Sequence, residues 1–234
     1  MTVPTITGFE LGAIREQLTQ SGYSYASGLP AGFDYPDALA AFGTPVPQYG
    51  GALVRDVKPD PDIGNDVVSS LNTAGLTPHT EWYEFAGLPP RYVALWCVVP
   101  ADGPGGETTL ADGYALLEKF TQADRRQMSR EVHTWRSPPT LTREGIHQRV
   151  DHSIIEMHNE QTVLRFSTLD LLANGELSTR YVARGREFFT KNHVAIKIER
   201  DAILIWDNWR TIHARNSFSD RRRHLRRMLL NSTE

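Results

Sequence analysis

The sequence predicts an α+β fold, with one N-terminal helix followed by many short strands that form a jelly-roll or sandwich core decorated by helices. Three observations carry this. Arg91–Val99 (RYVALWCVV) is a continuous apolar and aromatic run of strand length, which fits a strand buried on both faces. Ala202–Trp206 (AILIW) and Leu225–Leu230 have the same character near the end of the chain. Between such runs lie clusters of turn formers, most densely at Ala101–Gly106 (ADGPGG).

From the start, Phe9, Leu11, Ile14 and Leu18 recur at near-helical spacing and Gly22 supplies a stop signal. Gly22–Ser27 alternates aromatic and small residues, as a short strand does, and Asp37–Phe42 is a brief helical segment. Gly43–Gly51 reads as loop. Val54–Ile63 contains Pro59 and Pro61, which confines it to a sheet edge or an extended segment. Asp112–Phe120 and Ala123–Glu131 have helical character, the first capped by Asp112. Thr162–Ser167 and Val194–Glu199 look like strands, with a helix over Ser178–Thr190 between them.

The 234 residues fit one domain, 1–234, with no repeats or obvious linkers. A net charge of −3 gives no sign of a nucleic-acid or anionic-membrane partner. No apolar stretch approaches the roughly 20 residues that span a bilayer, and no signal peptide is recognisable, so the cytoplasm is the expected location. Cys97 is the sole cysteine; it admits no intrachain disulfide and reads as a core thiol. Nothing in the sequence reports on oligomeric state.

The chemistry begins at Pro78-His79-Thr80-Glu81-Trp82. On an extended segment residues i and i+2 share a face, so His79 and Glu81 can reach one metal ion. A neutral imidazole and a carboxylate suit a borderline divalent metal such as Fe(II). Alone, His-x-Glu is a common triplet and fits a solvated strand end equally well. A second piece is Asp207–Arg215 (DNWRTIHAR), where a buried strand ends in a turn and His213 follows; read in isolation, His213 is an ordinary loop histidine. The third is the basic segment Arg221–Arg227, which leads into the last strand and places Arg223, Leu225 and Arg227 on one face. A run of like charge is usually a solvated face, but two arginines facing a core need anions, and a dicarboxylate would supply them. The fourth is Gly105-Gly106-Glu107-Thr108, where adjacent glycines permit close backbone approach and a threonine hydroxyl can donate to a carboxylate. The same stretch also reads as a plain turn before a capped helix.

Taken together and in chain order, these pieces resemble the TauD/TfdA-like Fe(II)/2-oxoglutarate-dependent dioxygenase superfamily, in its clavaminate synthase-like branch. The matches are densest over Ala74–Leu117 and Ala202–Leu230 and sparse over Gln122–Asn192. The resemblance implies a double-stranded β-helix (jelly-roll) core with flanking helices, forming a single Fe(II)/2-oxoglutarate oxygenase domain. It implies that His79, Glu81 and His213 are the catalytic metal ligands and that Thr108 and Arg223 hold 2-oxoglutarate. Arg227 would then face the substrate or assist, although the neighbouring Arg222 and Arg226 leave that register open by one position. Fe(II), 2-oxoglutarate and O₂ are the implied cofactor and cosubstrates. The reaction would release succinate and CO₂ and oxidise a C–H bond, by hydroxylation, desaturation, cyclisation or epoxidation. Glu81 argues against a halogenase, since related halogenases carry a small residue there.

The branch suggests a small-molecule substrate, an amino acid or a related amine. Arg227 is a candidate for its carboxylate, and Glu84 or Asp151 for its amine; as surface carboxylates these two need no ligand. Trp82, Tyr83 and Trp96 can wall a pocket or simply pack. His147, Arg149, His152 and His158 fall in the least legible stretch, which is assigned to a lid by analogy. Two other readings use the same residues: a catalytic zinc site of a hydrolase, and a jelly-roll binder without turnover. Neither accounts for Thr108 and the buried-facing arginines together as well as the oxygenase does.

Overall fold

The computed structural model describes residues 3–64, 69–143 and 145–232. The chain enters through β1 (Thr5–Thr7), α1 (Leu11–Ser21), β2 (Tyr23–Ser27), α2 (Tyr35–Leu39), β3 (Thr44–Pro45) and β4 (Val54–Val57). The ligand-bearing β5 (Leu76–His79), the long β6 (Tyr92–Val99) and β7 (Thr108–Asp112) follow. An excursion then runs through α3 (Gly113–Leu117), α4 (Gln122–Met128), β8 (Val132–Arg136), α5 (Pro139–Arg143), β9 (Arg149–Ser153), β10 (Ile155–His158), β11 (Gln161–Leu164), β12 (Leu171–Leu172) and α6 (Glu176–Asn192). The chain returns through β13 (Val194–Ile196), β14 (Ile203–Asp207), β15 (Thr211–Arg215) and β16 (His224–Asn231).

Two sheets organise this mixed α/β fold. A seven-stranded sheet has the order β1-β2-β14-β6-β16-β3, with β4 also paired to β16, and a four-stranded sheet has the order β13-β7-β15-β5. The central cluster draws Val93, Leu95, Leu204, Trp206, Leu225 and Leu229 from the first sheet and Leu110 and Ile196 from the second. The alternate residues Ala94, Trp96, Ile203, Ile205, Met228 and Leu230 point the other way, onto Ile14 and Leu18 of α1. The apolar runs are therefore continuous because both faces of β6, β14 and β16 are covered, each fully buried large side chain contributing ~1.5–3 kcal/mol. On the far side of the smaller sheet, Ala111, Ile212 and Ala214 pack against the excursion, with Leu116, Phe166 and Tyr181 among their neighbours.

The local signals act as expected where they are strong. Gly22 closes α1 with φ 80°, and its N–H donates to the Leu18 carbonyl at 2.9 Å. Asp112 caps α3, accepting from the Tyr114 N–H at 2.9 Å. Of the extended segment around Pro59 and Pro61, only β4 forms, paired to β16 alone. The free thiol of Cys97 is buried, which pushes its pKa up to about 11. Among the described residues no helix is long and apolar enough to cross a membrane. The excursion is where expectation and structure part: β8, β9 and β10 arise from segments without apolar runs. They form the sheet β12-β8-β9 and the hairpin β10-β11.

Candidate metal centre and adjoining cavities

His79 ends β5 and lies opposite His213 on β15, and beyond His79 the chain continues to Glu81. Asn208, fully buried in the turn between β14 and β15, ties these pieces together. Its Oδ1 accepts the Glu81 N–H at 2.6 Å, and its Nδ2 donates to the carbonyls of Glu81 at 3.1 Å and Pro90 at 2.9 Å. On the other flank, His79 bridges Ser167, and the Thr80 N–H donates to the Phe166 carbonyl at 2.9 Å. The ligand segment is thus fixed from both sides.

His79, Glu81 and His213 bring one ligand atom each to within 4.8 Å of one another, the one such cluster among the described residues. Glu81 Oε2 lies 3.8 Å from His213 Nε2, and the two imidazole centroids are 4.3 Å apart. His79 Nδ1 lies 2.7 Å from the Thr77 carbonyl. A carbonyl only accepts, so Nδ1 donates to it and Nε2 is the nitrogen left to face a metal. Burial, and then the charges of His79 and Arg227, hold His213 well below the usual histidine range, so its imidazole is neutral as ligation requires. Two imidazole nitrogens and one carboxylate on a cavity wall fit a divalent ion with free coordination positions.

Behind the triad lies a small inner cavity of about 40 Å³, reached by Glu81, His213, Thr108, Arg215, Arg223 and Arg227. Its far side is cationic. Arg223 and Arg215 are both buried, and each guanidinium carbon sits 5.0 Å from the centre of the Phe218 ring. Burial depresses the first to about 10; burial and then the charge of the first depress the second to about 9. Arg215 donates to the carbonyls of Ser69, Ser70, Asn72 and Ala74, which are neutral partners. Arg223 donates to the Gly106 carbonyl at 3.0 Å. No carboxylate pairs with either arginine among the described residues, so the cavity holds uncompensated positive charge. The glycine loop makes this possible: a Cβ on Gly105 would lie 1.9 Å from the Ser217 carbonyl, and Gly106 adopts φ 79° against Arg223.

In front of the triad an outer cavity of about 260 Å³ opens to solvent. Trp82 and Tyr83 line it. Trp82 has φ 62°, a left-handed conformation that costs a bulky residue on the order of 1–3 kcal/mol. Arg165, fully buried, braces that turn by donating to the carbonyls of Trp82 at 3.2 Å, Tyr83 at 3.4 Å and Gly87. Glu84 lines the same cavity, and desolvation raises its pKa to about 8. Asp170 lines it too, accepting from the Tyr83 hydroxyl at 2.7 Å.

The structure separates the residues singled out in the sequence. His79, Glu81 and His213 converge, and Thr108 and Arg223 share the inner cavity. Arg227 reaches both cavities, but its Nη1 donates to Glu81 at 2.9 Å and its Nε to Gln48 at 2.8 Å. Trp96 packs into the α1-side core, away from the site. Glu84 is buried at the cavity, whereas Asp151 accepts from Thr134 on the exposed face of β9. Of the stretch assigned to a lid, none of His147, Arg149, His152 and His158 lines the cavity; Pro138, Pro139 and Leu141 do. Arg165 and Asp170 have no role in the sequence reading, and Asn208 and Arg215 enter it only as members of the stretch Asp207–Arg215. Arg215 alone had a usable signal, lying two residues after His213 on the same strand face.

A two-sheet α/β scaffold with this triad and a cation-backed inner cavity defines a class of metal-dependent oxygenases. The family model described as taurine catabolism dioxygenase TauD, TfdA family matches residues 6–229, and the chain belongs to that family of dioxygenases. Among curated proteins none matches it in sequence. Solved structures with the same fold include an asparagine oxygenase in complex with Fe(II), 2S,3S-3-hydroxyasparagine and succinate. That match has a TM-score of 0.79 and 19% identity and covers 94% of this chain and 77% of that one. The non-haem iron oxygenase OrfP in complex with Fe, succinate and (3S)-hydroxy-L-Arg is similar at a TM-score of 0.72 and 16% identity, covering 95% and 82% of the two chains. PvcB from Pseudomonas aeruginosa is similar at 0.68 and 21%, covering 95% and 81%.

Proposed function

We propose that this dioxygenase is an Fe(II)- and 2-oxoglutarate-dependent oxygenase in which His79, Glu81 and His213 hold the iron. Thr108 and Arg223 receive the far carboxylate of 2-oxoglutarate in the inner cavity, with O₂ as the oxidant. The observation that carries the reading is the adjacency of a metal triad to a small cavity whose buried Arg215 and Arg223 lack a paired carboxylate among the described residues. A dicarboxylate supplies the missing charge through charge-assisted hydrogen bonds. When bound, iron supplies the redox chemistry that couples decarboxylation of 2-oxoglutarate to oxidation of a substrate C–H bond.

The protein's own contribution is placement. Asn208 holds the Glu81 backbone, Thr77 sets the His79 tautomer, and Arg227 orients the Glu81 carboxylate. The substrate enters the outer cavity, whose Trp82 and Tyr83 walls suit a small molecule, an amino acid or a derivative, and hydroxylation is the expected outcome. The two sheets serve as the halves of a double-stranded β-helix, within one domain spanning residues 1–234. The unpaired Cys97 fits work in a reducing compartment such as the cytoplasm.

Anaerobic addition of Fe(II) and 2-oxoglutarate is expected to give a weak visible charge-transfer band, which a hydrolytic zinc protein or a metal-only binder lacks. With O₂, succinate forms, and a product heavier by one oxygen marks hydroxylation. Glu81→Ala should abolish iron-dependent 2-oxoglutarate consumption; full consumption by that variant would overturn the triad assignment.

A further inference from the structure

The outer cavity contains a group that the proposed chemistry at the metal leaves unused. Glu84 is 3% exposed, and its Oε2 is buried with no hydrogen-bond partner among the described residues. Three arginines stand nearby and each has other contacts: Arg165 bonds backbone carbonyls and Glu156, Arg227 bonds Glu81 and Gln48, and Arg55, which also lines the cavity, lies over the Tyr49 ring at 4.8 Å. Asp170 repeats the pattern. Its Oδ2 accepts from Tyr83, while its Oδ1 has no hydrogen bond and only the half-exposed Arg136 at 3.6 Å. A carboxylate buried without a partner is costly, and the cost falls when a cation arrives beside it.

The backbone explains how Glu84 comes to this wall. On a continuing strand, residues 81 and 84 would point to opposite faces. The left-handed turn at Trp82 breaks that alternation and returns Glu84 to the cavity that Glu81 lines. A strained tryptophan braced by a fully buried arginine thus delivers a carboxyl group to the cavity wall. Leu141 and Leu169 supply apolar surface in the same cavity for an aliphatic stem.

We propose that Glu84, together with Asp170, forms the subsite for a positively charged side-chain group of the substrate, an ammonium or a guanidinium. The proposal rests on the oxygenase reading for what happens to that substrate, and it adds the charge by which the substrate is chosen. Neutral and anionic small molecules leave both carboxyl groups unmatched and are discriminated against by that loss.

The test is calorimetric titration of the protein loaded anaerobically with Fe(II) and 2-oxoglutarate. Arginine is compared with citrulline, lysine with norleucine, and agmatine with both sets, so that charge changes while shape is nearly held. At least one cationic probe is expected to bind tenfold or more tightly than its neutral counterpart. Glu84→Gln should shrink that preference to threefold or less while leaving the charge-transfer band in place, and Asp170→Asn should narrow it partway. Far-UV circular dichroism checks that both variants fold. Equal binding within each pair, no binding by any cationic probe at millimolar concentration, or a preference that survives both substitutions would overturn the proposal. A wild-type protein that gives no charge-transfer band sinks the oxygenase reading instead; the same titrations on the metal-free protein then decide the charge preference by themselves.

Discussion

The two cavities meet at Glu81, His213 and Arg227 and differ in the groups they present. The inner one is small and backed by Arg215 and Arg223, which project from or lie beside regular strands of the two sheets. The outer one is larger, and besides Glu81 its carboxyl groups are Glu84, from a strained turn, and Asp170, from the excursion between β7 and β13. Rigid strands suit the recognition of one small dianion, where guanidinium positions must be fixed before binding. Irregular segments suit a substrate surface, because a turn can be reshaped without disturbing a sheet.

The sharpest way to break this contrast is Arg223→Leu. Removing one partner of a charge-assisted pair should weaken the apparent affinity for 2-oxoglutarate by about 100-fold, measured by titrating the charge-transfer band. Retained affinity would move the anion role to Arg215 or Arg227. Asn208→Ala comes next. It strips the backbone of Glu81 of two hydrogen bonds, and iron affinity should fall by roughly 10- to 100-fold, read by metal titration. An unchanged iron affinity would show that the strand pairing suffices.

The acidity of Glu84 gives a pH-dependent effect. Its folded-state pKa is raised from 4.5 to about 8 by burial. Below that window both the folded and unfolded states carry the proton. Within it only the unfolded state ionises, so stability falls as pH rises and the loss is complete above about 8. Glu84→Gln should remove this slope, and denaturant unfolding at several pH values should favour the variant by on the order of 2 kcal/mol at the alkaline end. Parallel slopes for the two proteins would contradict the burial. The smallest effect is expected from Thr108→Val, which removes one neutral donor and should weaken 2-oxoglutarate binding by about 3- to 10-fold.

Much of the scaffold was legible because β6, β14 and β16 are covered on both faces and so carry unbroken apolar runs. The convergence of the triad was legible because His79 and Glu81 follow each other at a strand end, where i, i+2 spacing reports a shared face, and His213 comes shortly after a buried apolar strand. That Thr108 and Arg223 share a cavity was legible from the glycine loop and from the basic run leading into the last strand. The outer cavity was not. Glu84 reaches it through a positive φ at Trp82 that no periodicity announces, and without that turn Glu84 and Asp151 look alike. Arg165 and Asp170 lie in the excursion, whose strands are half-exposed and lack a run of either period. Asn208 was read only as a turn residue, since the bonds it makes join positions 127 residues apart.

That long-range bond has a consequence for how the family can diversify. Glu81 and His213 are fastened to each other through Asn208 and the β5–β15 pairing, and from the excursion only the short stretch 166–168, among the described residues, is bonded to the segment 78–80 that carries His79. The excursion contributes Pro138, Leu141, Leu169 and Asp170 to the outer cavity and no metal ligand. Outside the stretch 165–168, which holds the ligand segment and the Trp82 turn, it can be exchanged or rebuilt, giving a new choice of molecule to an oxidising centre that stays where it is.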